Sequence, residues 1–150
     1  REDLLARIDL WVFRLPGYRN EERELSHRAH LLLEMMGLEQ NAHDLSRNLP
    51  YGAQRKLEIA RALASGPRVL LLDEPAAGMN PTETSELLST IQFIQKEFEL
   101  SVLLIEHDRN FVMGICEYIF VLDYGRIIAS GLPEEVRSNP QVIAAYLGGE

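Results

Sequence analysis

Two adjacent carboxylates stand where an apolar run of the sequence ends. The segment VLLLDEP places Asp73, Glu74 and Pro75 directly after four apolar residues. Two carboxylates at such a position repel each other unless a positive charge lies nearby. A Mg²⁺ ion held by one of them, with a water oriented by the other, would relieve that repulsion and provide a hydrolytic chemistry. An acidic turn that closes a strand is the alternative for this pair taken alone.

Two further groups could share a site with these carboxylates. The segment NLPYGAQRKLEIARAL puts Gly52 directly before a predicted helix, whose free N–H groups and positive end would attract an anion. His107 follows the apolar segment VLLI, 34 residues after Asp73. A parallel sheet would bring His107 beside the edge that carries Asp73 and Glu74. A ligand-free capping turn and a solvated histidine are the alternatives for each group alone, but their occurrence together favours a functional site.

The elements that would position these groups follow an α/β order. Residues 69–73 and 102–105 are continuous apolar runs, typical of strands buried on both faces of a parallel sheet. Between them, Asn80 as cap, Pro81 in the first turn and Glu83 three residues after the cap predict the start of a helix. The apolar stripe of this helix is Leu87, Ile91, Ile94 and Phe98. Strand, helix, strand and helix in this order predict a parallel sheet with right-handed crossovers.

The rest of the chain consists of shorter elements. Asp108 can cap a short helix, and residues 118–130 predict two strands joined by a tight turn at Asp123-Tyr124-Gly125. Two short helices, opened by Pro133 and by Asn139-Pro140, are predicted at the end of the chain.

The N-terminal region is predicted to be helical up to about residue 45. A first helix, with the stripe Leu4, Ile8, Trp11 and Leu15, is expected to stop at a turn formed by Pro16-Gly17. Asn20 is expected to cap a second helix, which ends at Gly37. The stripe of this second helix is Leu25, Ala29, Leu32 and Met36.

Composition excludes several classes of protein. The chain has 150 residues, 46% of them apolar and 25% charged, which is ordinary for one globular domain and argues against disorder. A net charge of -8 has the wrong sign for a surface that binds nucleic acid. Cys116 is the single cysteine, so an internal disulfide is impossible and a reducing compartment, the cytosol, is expected. No apolar run approaches the roughly 18 residues that would span a bilayer.

In their order along the chain, these motifs resemble the nucleotide-binding subunit of ABC transporters. NLPYGAQ is similar to the signature motif, VLLLDEP to the Walker B strand, residues 76–81 to the D-loop, and His107 to the switch histidine. The resemblance implies a partial P-loop NTPase fold of the α/β class, with a mainly parallel sheet and an N-terminal helical subdomain. It places the helical subdomain with the signature motif at about residues 1–65, and part of the RecA-like core with C-terminal helices at about residues 66–150.

The resemblance also implies a mechanism and two cofactors, ATP and Mg²⁺. Asp73 would hold Mg²⁺ through water, Glu74 would be the general base, and His107 would contact the γ-phosphate. The remaining nucleotide-binding residues would be Pro50, Tyr51, Gly52, Ala53, Gln54 and Asn80. The signature residues among these would meet ATP bound to a second ATP-binding subunit, so hydrolysis would require a head-to-tail dimer.

Longer phrases resemble one subfamily, the ATP-binding subunits of branched-chain amino-acid uptake systems. These phrases are PYGAQRKLEIARAL, LDEPAAGMNPTET, LLIEHDRNFVMGI and NPQVIAAYLG. The implied partners are a second ATP-binding subunit, transmembrane permease subunits and a periplasmic or extracellular binding protein. The implied location is cytoplasmic, on the inner face of the cell membrane through the permease subunits.

The sequence departs from the family pattern in three places. It contains no phosphate loop of the form GxxxxGKS or GxxxxGKT, since neither Lys56 nor Lys96 follows a glycine. We therefore expect the 150 residues to be the C-terminal part of a longer ATPase, inactive alone and with apolar sheet surface exposed. Pro50 replaces a serine that donates to the γ-phosphate, and Asn80 replaces an aspartate of the D-loop.

Three other functions remain open on the sequence. A nucleotide-free interaction module derived from such an ATPase would keep a dimer-forming surface without catalysis. An ABC-type ATPase of another transport system is the second, while one of chromosome maintenance or repair is disfavoured by the short, uninterrupted helical region and the acidic charge. A metal hydrolase built on Asp73, Glu74 and His107 would need further ligands from elsewhere in the chain.

Overall fold

A computed structural model of the chain describes residues 16–147. The chain divides at Leu70 into two compact units. The predicted first helix, with the stripe Leu4, Ile8, Trp11 and Leu15, lies outside the described residues.

The first unit is helical over residues 16–63, apart from the connections between its helices. Helix α1 spans Pro16–Met35 and helix α2 spans Tyr51–Leu63, with short 3-10 turns at Glu39–Asn41 and Ser46–Asn48 between them. Gly37 has a φ of 67°, a left-handed conformation that glycine adopts without steric cost, and it ends α1 as predicted. Among residues 21–68, the buried apolar residues are Met36, Leu38, Leu49, Ile59, Ala60 and Leu63.

The predicted turn at Pro16-Gly17 and the predicted cap at Asn20 are wrong. Residues 16–20 are helical, and α1 runs through them to Met35. Proline is tolerated in the first turn of a helix because the N–H that it lacks has no partner there in any case. The predicted stripe is only partly buried, since Leu25 and Ala29 are exposed and Met36 is buried.

The second unit begins within strand β1, Val69–Asp73, and continues through helix α3, Pro81–Glu97, to strand β2, Ser101–Ile105. The two strands pair with each other. The N–H of Glu74, just after β1, donates to the carbonyl of Ile105 at the end of β2 at 2.9 Å. Because the carboxyl ends of both strands meet at one edge, the pair is parallel, as predicted.

Helix α4, Arg109–Ile115, leads to an antiparallel hairpin of β3, Ile119–Asp123, and β4, Arg126–Gly131. Tyr124 and Gly125 both have positive φ, 44° and 76°, as the two central residues of a type I′ turn do. Helices α5, Pro133–Ser138, and α6, Pro140–Leu147, complete the described chain and confirm the predicted tail. The hairpin packs with these helices in a cluster whose buried members are Ile119, Val121, Val136 and Val142.

The strands are not buried on both faces, contrary to the prediction. Alternate residues of β1 and β2 are exposed, among them Leu71 at 68% and Ile105 at 60% of full exposure. The continuous apolar sequence predicts strands that are covered on both faces of the sheet. The described residues cover only one of these faces. The expected exposure of apolar sheet surface is confirmed. No helix of residues 16–147 is long and apolar enough to cross a membrane.

Candidate functional site

The end of the parallel pair brings together the groups that the sequence singled out in this unit. Asp73 is the last residue of β1, and Glu74 follows it. The Oε1 atom of Glu74 lies 3.5 Å from the Nδ1 atom of His107, which comes two residues after the end of β2. The side chains of Glu74 and His107 are 53% and 71% exposed. A carboxylate and an imidazole therefore lie side by side, both exposed to solvent.

Glu74 has a backbone conformation that is rare for a residue with a side chain. Its φ is 42°, in the left-handed region. Two hydrogen bonds fix this conformation, one from its own N–H to Ile105 and one from the N–H of Ala77 to its carbonyl at 3.1 Å. Such conformations cost free energy and concentrate where a side chain must be aimed. The strand end therefore imposes the direction of the Glu74 side chain.

The turn after Glu74 leads into a helix start with a side-chain cap. The Asn80 side chain accepts from the N–H groups of Thr82 and Glu83, both at 3.0 Å, and the Glu83 carboxylate accepts from the N–H of Asn80 at 3.0 Å. This is the predicted capping box with Pro81 in the first turn. Asn80 is thus engaged as a helix cap while remaining exposed at the surface.

Glu106 is the residue that the sequence analysis missed. Its side chain is only 1% exposed, and its carboxylate accepts hydrogen bonds from the N–H groups of Ala76 and His107. The available signal was an acidic residue between an apolar strand and a histidine. A continuous apolar run does not indicate which way the residue after it points.

The signature-like residues lie in the first unit, around the start of α2. Pro50 occupies the N-cap position, and no side chain there accepts a hydrogen bond from the helix start. The N–H groups of Tyr51, Gly52 and Ala53 therefore have no side-chain cap. Gly52 is a buried residue inside the helix, so the prediction of a glycine turn before the helix is wrong. Gly52 has no positive φ, unlike the turn glycines of the chain. The helix start itself is where an anion was expected.

Two side chains near this helix start already have partners. Gln54 donates through Nε2 to the carbonyl of Leu49 at 2.8 Å, so its amide is turned back along the chain. Arg55 donates to the Tyr51 hydroxyl at 2.8 Å, and its guanidinium carbon lies 5.2 Å from the centre of that ring. The hydrogen bond from Arg55 to Glu58, at 2.7 Å, raises the pKa of Arg55. The arginine therefore holds the Tyr51 ring in place.

The carboxylates suit a metal ion shared with a ligand rather than a closed metal site. No group of three or more metal-binding side chains occurs within the described range, residues 16–147. Mg²⁺ usually takes one or two protein carboxylates and fills its other positions with water and phosphate oxygens. Asp73, exposed at the end of β1, fits that role.

Models of two protein families match the sequence. A model described as ABC transporter matches residues 8–77, which include the signature-like and Walker B-like segments. A second model, described as branched-chain amino acid ATP-binding cassette transporter, matches residues 126–150. The chain is a homologue of the ATP-binding proteins of ABC transporters.

Curated relatives give the same result over most of the chain. The high-affinity branched-chain amino acid transport ATP-binding protein LivG of Escherichia coli is 46% identical over 137 residues, which are 91% of this chain and 54% of LivG. LivG of Salmonella typhimurium and BraF of Pseudomonas aeruginosa are each 47% identical over 137 residues, again 91% of this chain and 54% of the relative. The chain spans about half the length of the curated relatives it matches.

Solved structures support the fold. MJ1267, an ATP-binding cassette of an ABC transporter in its ADP conformation, has a TM-score of 0.77 and is 28% identical over 85% of this chain and 51% of its own. Clostridium perfringens cbiO1, part of the ABC transporter complex cbiONQ, has a TM-score of 0.73 and is 32% identical over 91% of this chain and 52% of its own. The predicted ABC ATPase fold of the α/β class is confirmed.

Proposed function

We propose that the complete protein hydrolyses ATP as the ATP-binding subunit of an ABC importer. The observation that carries the proposal is the 3.5 Å approach of Glu74 to His107 at the shared end of two parallel strands. Such strand ends are where open α/β sheets bind their ligands. The homology to ATP-binding proteins supports ATP as that ligand.

Glu74 is the general base in this proposal. Its exposed carboxylate orients the attacking water and accepts a proton from it. His107, held beside Glu74, contacts the γ-phosphate. Phosphoryl transfer depends mainly on positioning and on electrostatic stabilisation, which two groups fixed at one sheet edge provide.

Asp73 is the residue that would hold Mg²⁺, through water. When bound, the ion neutralises charge on the phosphate oxygens. Asp73 directly precedes Glu74, so the metal ligand and the base are placed by the same strand end.

The residues at the start of α2 serve a second nucleotide. The N–H of Gln54 already donates to the carbonyl of Pro50 at 3.0 Å and its Nε2 to that of Leu49 at 2.8 Å, which leaves only its second Nε2 hydrogen for a phosphate. The backbone N–H groups of Tyr51, Gly52 and Ala53 contact the γ-phosphate of ATP held by a second ATP-binding subunit. Their support is the helix start itself, where free N–H groups favour a phosphate. Pro50 offers neither a hydroxyl nor an N–H, so one contact of the usual serine is absent. Asn80, which stands in the D-loop-like segment, keeps an acceptor without a charge.

The cargo we propose is a branched-chain amino acid. The support is the agreement of LivG and BraF, both named for branched-chain amino acid transport, with the match of residues 126–150 to the corresponding family model. The proposed partners are a second ATP-binding subunit, transmembrane permease subunits and a periplasmic or extracellular binding protein. The subunit would then lie on the cytoplasmic face of the membrane, attached through the permease.

The 150 residues alone are proposed to be inactive. They contain no GxxxxGKS or GxxxxGKT segment, and such a loop contributes most of the phosphate contacts in nucleotide sites of this type. Titration of the chain with a fluorescent ATP analogue should therefore give no saturable binding.

The experiment uses the protein translated from the complete reading frame that contains these residues. Glu74→Gln should bind ATP like the unchanged protein and lose turnover by about 100-fold or more, since general bases contribute that much. Glu99→Gln is the matched control. Glu99 is also a glutamate with a positive φ, 50°, but it lies just before the first residue of β2, at the end of the strand away from His107. Undiminished turnover in Glu74→Gln would contradict the role of Glu74. An unchanged protein without ATPase activity would contradict the proposed function.

A further inference from the structure

The buried carboxylate of Glu106 lies next to the exposed pair of Glu74 and His107, with its Oε2 atom 3.8 Å from the Nδ1 atom of His107. The side chain of Glu106 is 1% exposed, whereas that of the adjacent His107 is 71% exposed. Its Oε1 atom accepts from the N–H of Ala76 at 2.9 Å, and its Oε2 atom accepts from the N–H of His107 at 3.1 Å. Each carboxylate oxygen of Glu106 therefore accepts a hydrogen bond from a different loop of the site.

The two bonds join segments that are 30 residues apart in sequence. Ala76 belongs to the turn that leads from Glu74 to Asn80, and His107 belongs to the loop after β2. Beside them, the N–H of Glu74 donates to the carbonyl of Ile105 at 2.9 Å. The Glu74–Ile105 bond fixes where the strands end, and the Glu106 bonds fix the loops beyond that point.

A buried carboxylate is expensive to desolvate and persists where hydrogen bonds compensate its charge. Backbone N–H groups that donate to an ionised acceptor form stronger bonds than those to a neutral one. An amide in place of this carboxylate has only one acceptor oxygen, so one of the two N–H groups would face an NH₂ group. The geometry of both loops therefore depends on the charge and on both oxygens.

We infer that Glu106 is a positioning residue for ATP hydrolysis, which sets the Glu74 turn and His107 relative to each other. This inference rests on the proposed function. Glu106 touches neither the water nor the phosphate. It holds the backbone on both sides of the site, including the turn that keeps Glu74 in its left-handed conformation.

The test is steady-state ATPase kinetics of Glu106→Gln in the complete protein. We expect kcat to fall about 10- to 100-fold, which is the effect of misplacing reacting groups by about an ångström. We expect the KM for ATP to change less than about threefold, because Glu106 does not contact the nucleotide. Turnover is expressed per nucleotide-binding molecule, so that a smaller folded fraction does not lower it.

Glu135→Gln is the matched control. Glu135 also accepts a backbone N–H, that of Leu132 at 2.9 Å, but at the start of α5 rather than beside His107. It should lose stability without losing kcat. If Glu106→Gln does not fold, Glu106→Asp keeps the charge while shortening the side chain by one methylene, and its kcat should also fall.

The outcomes separate this inference from the proposed function. The positioning role is overturned if Glu74→Gln is inactive while Glu106→Gln, or a folded Glu106→Asp, has the same kcat as the unchanged protein. An unchanged protein without ATPase activity overturns the proposed function itself. A loss of stability in Glu106→Gln equal to that of Glu135→Gln, with kcat retained, assigns Glu106 a purely structural role and likewise overturns the inference.

Discussion

Glu74 and His107 lie 3.5 Å apart, Oε1 to Nδ1, although they are 33 positions apart in the sequence. One helix and one strand bring them together. Strand β1 ends at Asp73, α3 crosses over, and β2 ends at Ile105 beside β1, so the residues after both strands meet at one edge. The left-handed backbone of Glu74 turns its side chain toward that edge.

The left-handed conformation at Glu74 should be measurable as strain. Glycine adopts a positive φ freely, whereas alanine pays for the contact of its Cβ with the backbone. We expect Glu74→Gly to be more stable to unfolding than Glu74→Ala by about 1 kcal/mol. Urea denaturation of both variants measures the difference.

Glu99 offers a control for this measurement. Its φ is 50°, so Glu99→Gly and Glu99→Ala should differ in the same direction. Equal stabilities at position 74, together with the expected difference at position 99, would show that the turn after β1 relaxes when the Glu74 side chain is removed.

The cap at Asn80 should contribute stability separately from any role in activity. Its side chain satisfies two N–H groups at the start of α3. Asn80→Ala should lower the free energy of unfolding by about 1 kcal/mol, and Asn80→Asp should retain it, because aspartate caps equally well and its charge suits the positive helix end. Thermal and urea unfolding measure both. A neutral Asn80→Ala would contradict the capping role.

The core of the second unit should depend on the buried face of α3. Ile91 is 0% exposed, so Ile91→Ala leaves a cavity and should cost about 2–5 kcal/mol of unfolding free energy. Ile105→Ala removes the same atoms from a side chain that is 60% exposed and should cost far less. Urea unfolding of the 150-residue chain compares the two. Similar losses would contradict the exposure of the β2 face.

Sequence patterns predicted most of the elements because their signals are local. The cap at Asn80 with Pro81 and Glu83, the cap at Asp108 and the turn at Tyr124-Gly125 each act through neighbouring backbone groups, and all are present in the structure. The pairing of Glu74 with His107 followed from parallel strand order, which the apolar runs indicated.

The failures have longer-range causes. Pro16 and Gly17 are poor helix residues, but proline does not disrupt a first turn, and the helix continues through both. Leu71 and Ile105 are apolar in sequence and exposed in the structure, since burial depends on what covers a strand rather than on the strand itself. The hydrogen bonds of Glu106 depend on the separation of two loops in space, which no local pattern encodes.

The thiol of Cys116 should make stability depend on alkaline pH. Cys116 lies on a cleft of about 840 Å³ that β2 and β3 line, and burial raises its pKa. The folded protein then binds the thiol proton more tightly than the unfolded chain does. This contribution to stability is complete below the unfolded pKa of about 8.5 and is lost as the pH rises through the folded value.

Urea unfolding between about pH 7 and pH 10 measures this loss. The free energy of unfolding should fall more steeply with rising pH in the unchanged chain than in Cys116→Ala, in which all other titrating groups remain. Parallel pH profiles would mean that the thiol ionises equally in both states and would contradict the raised pKa.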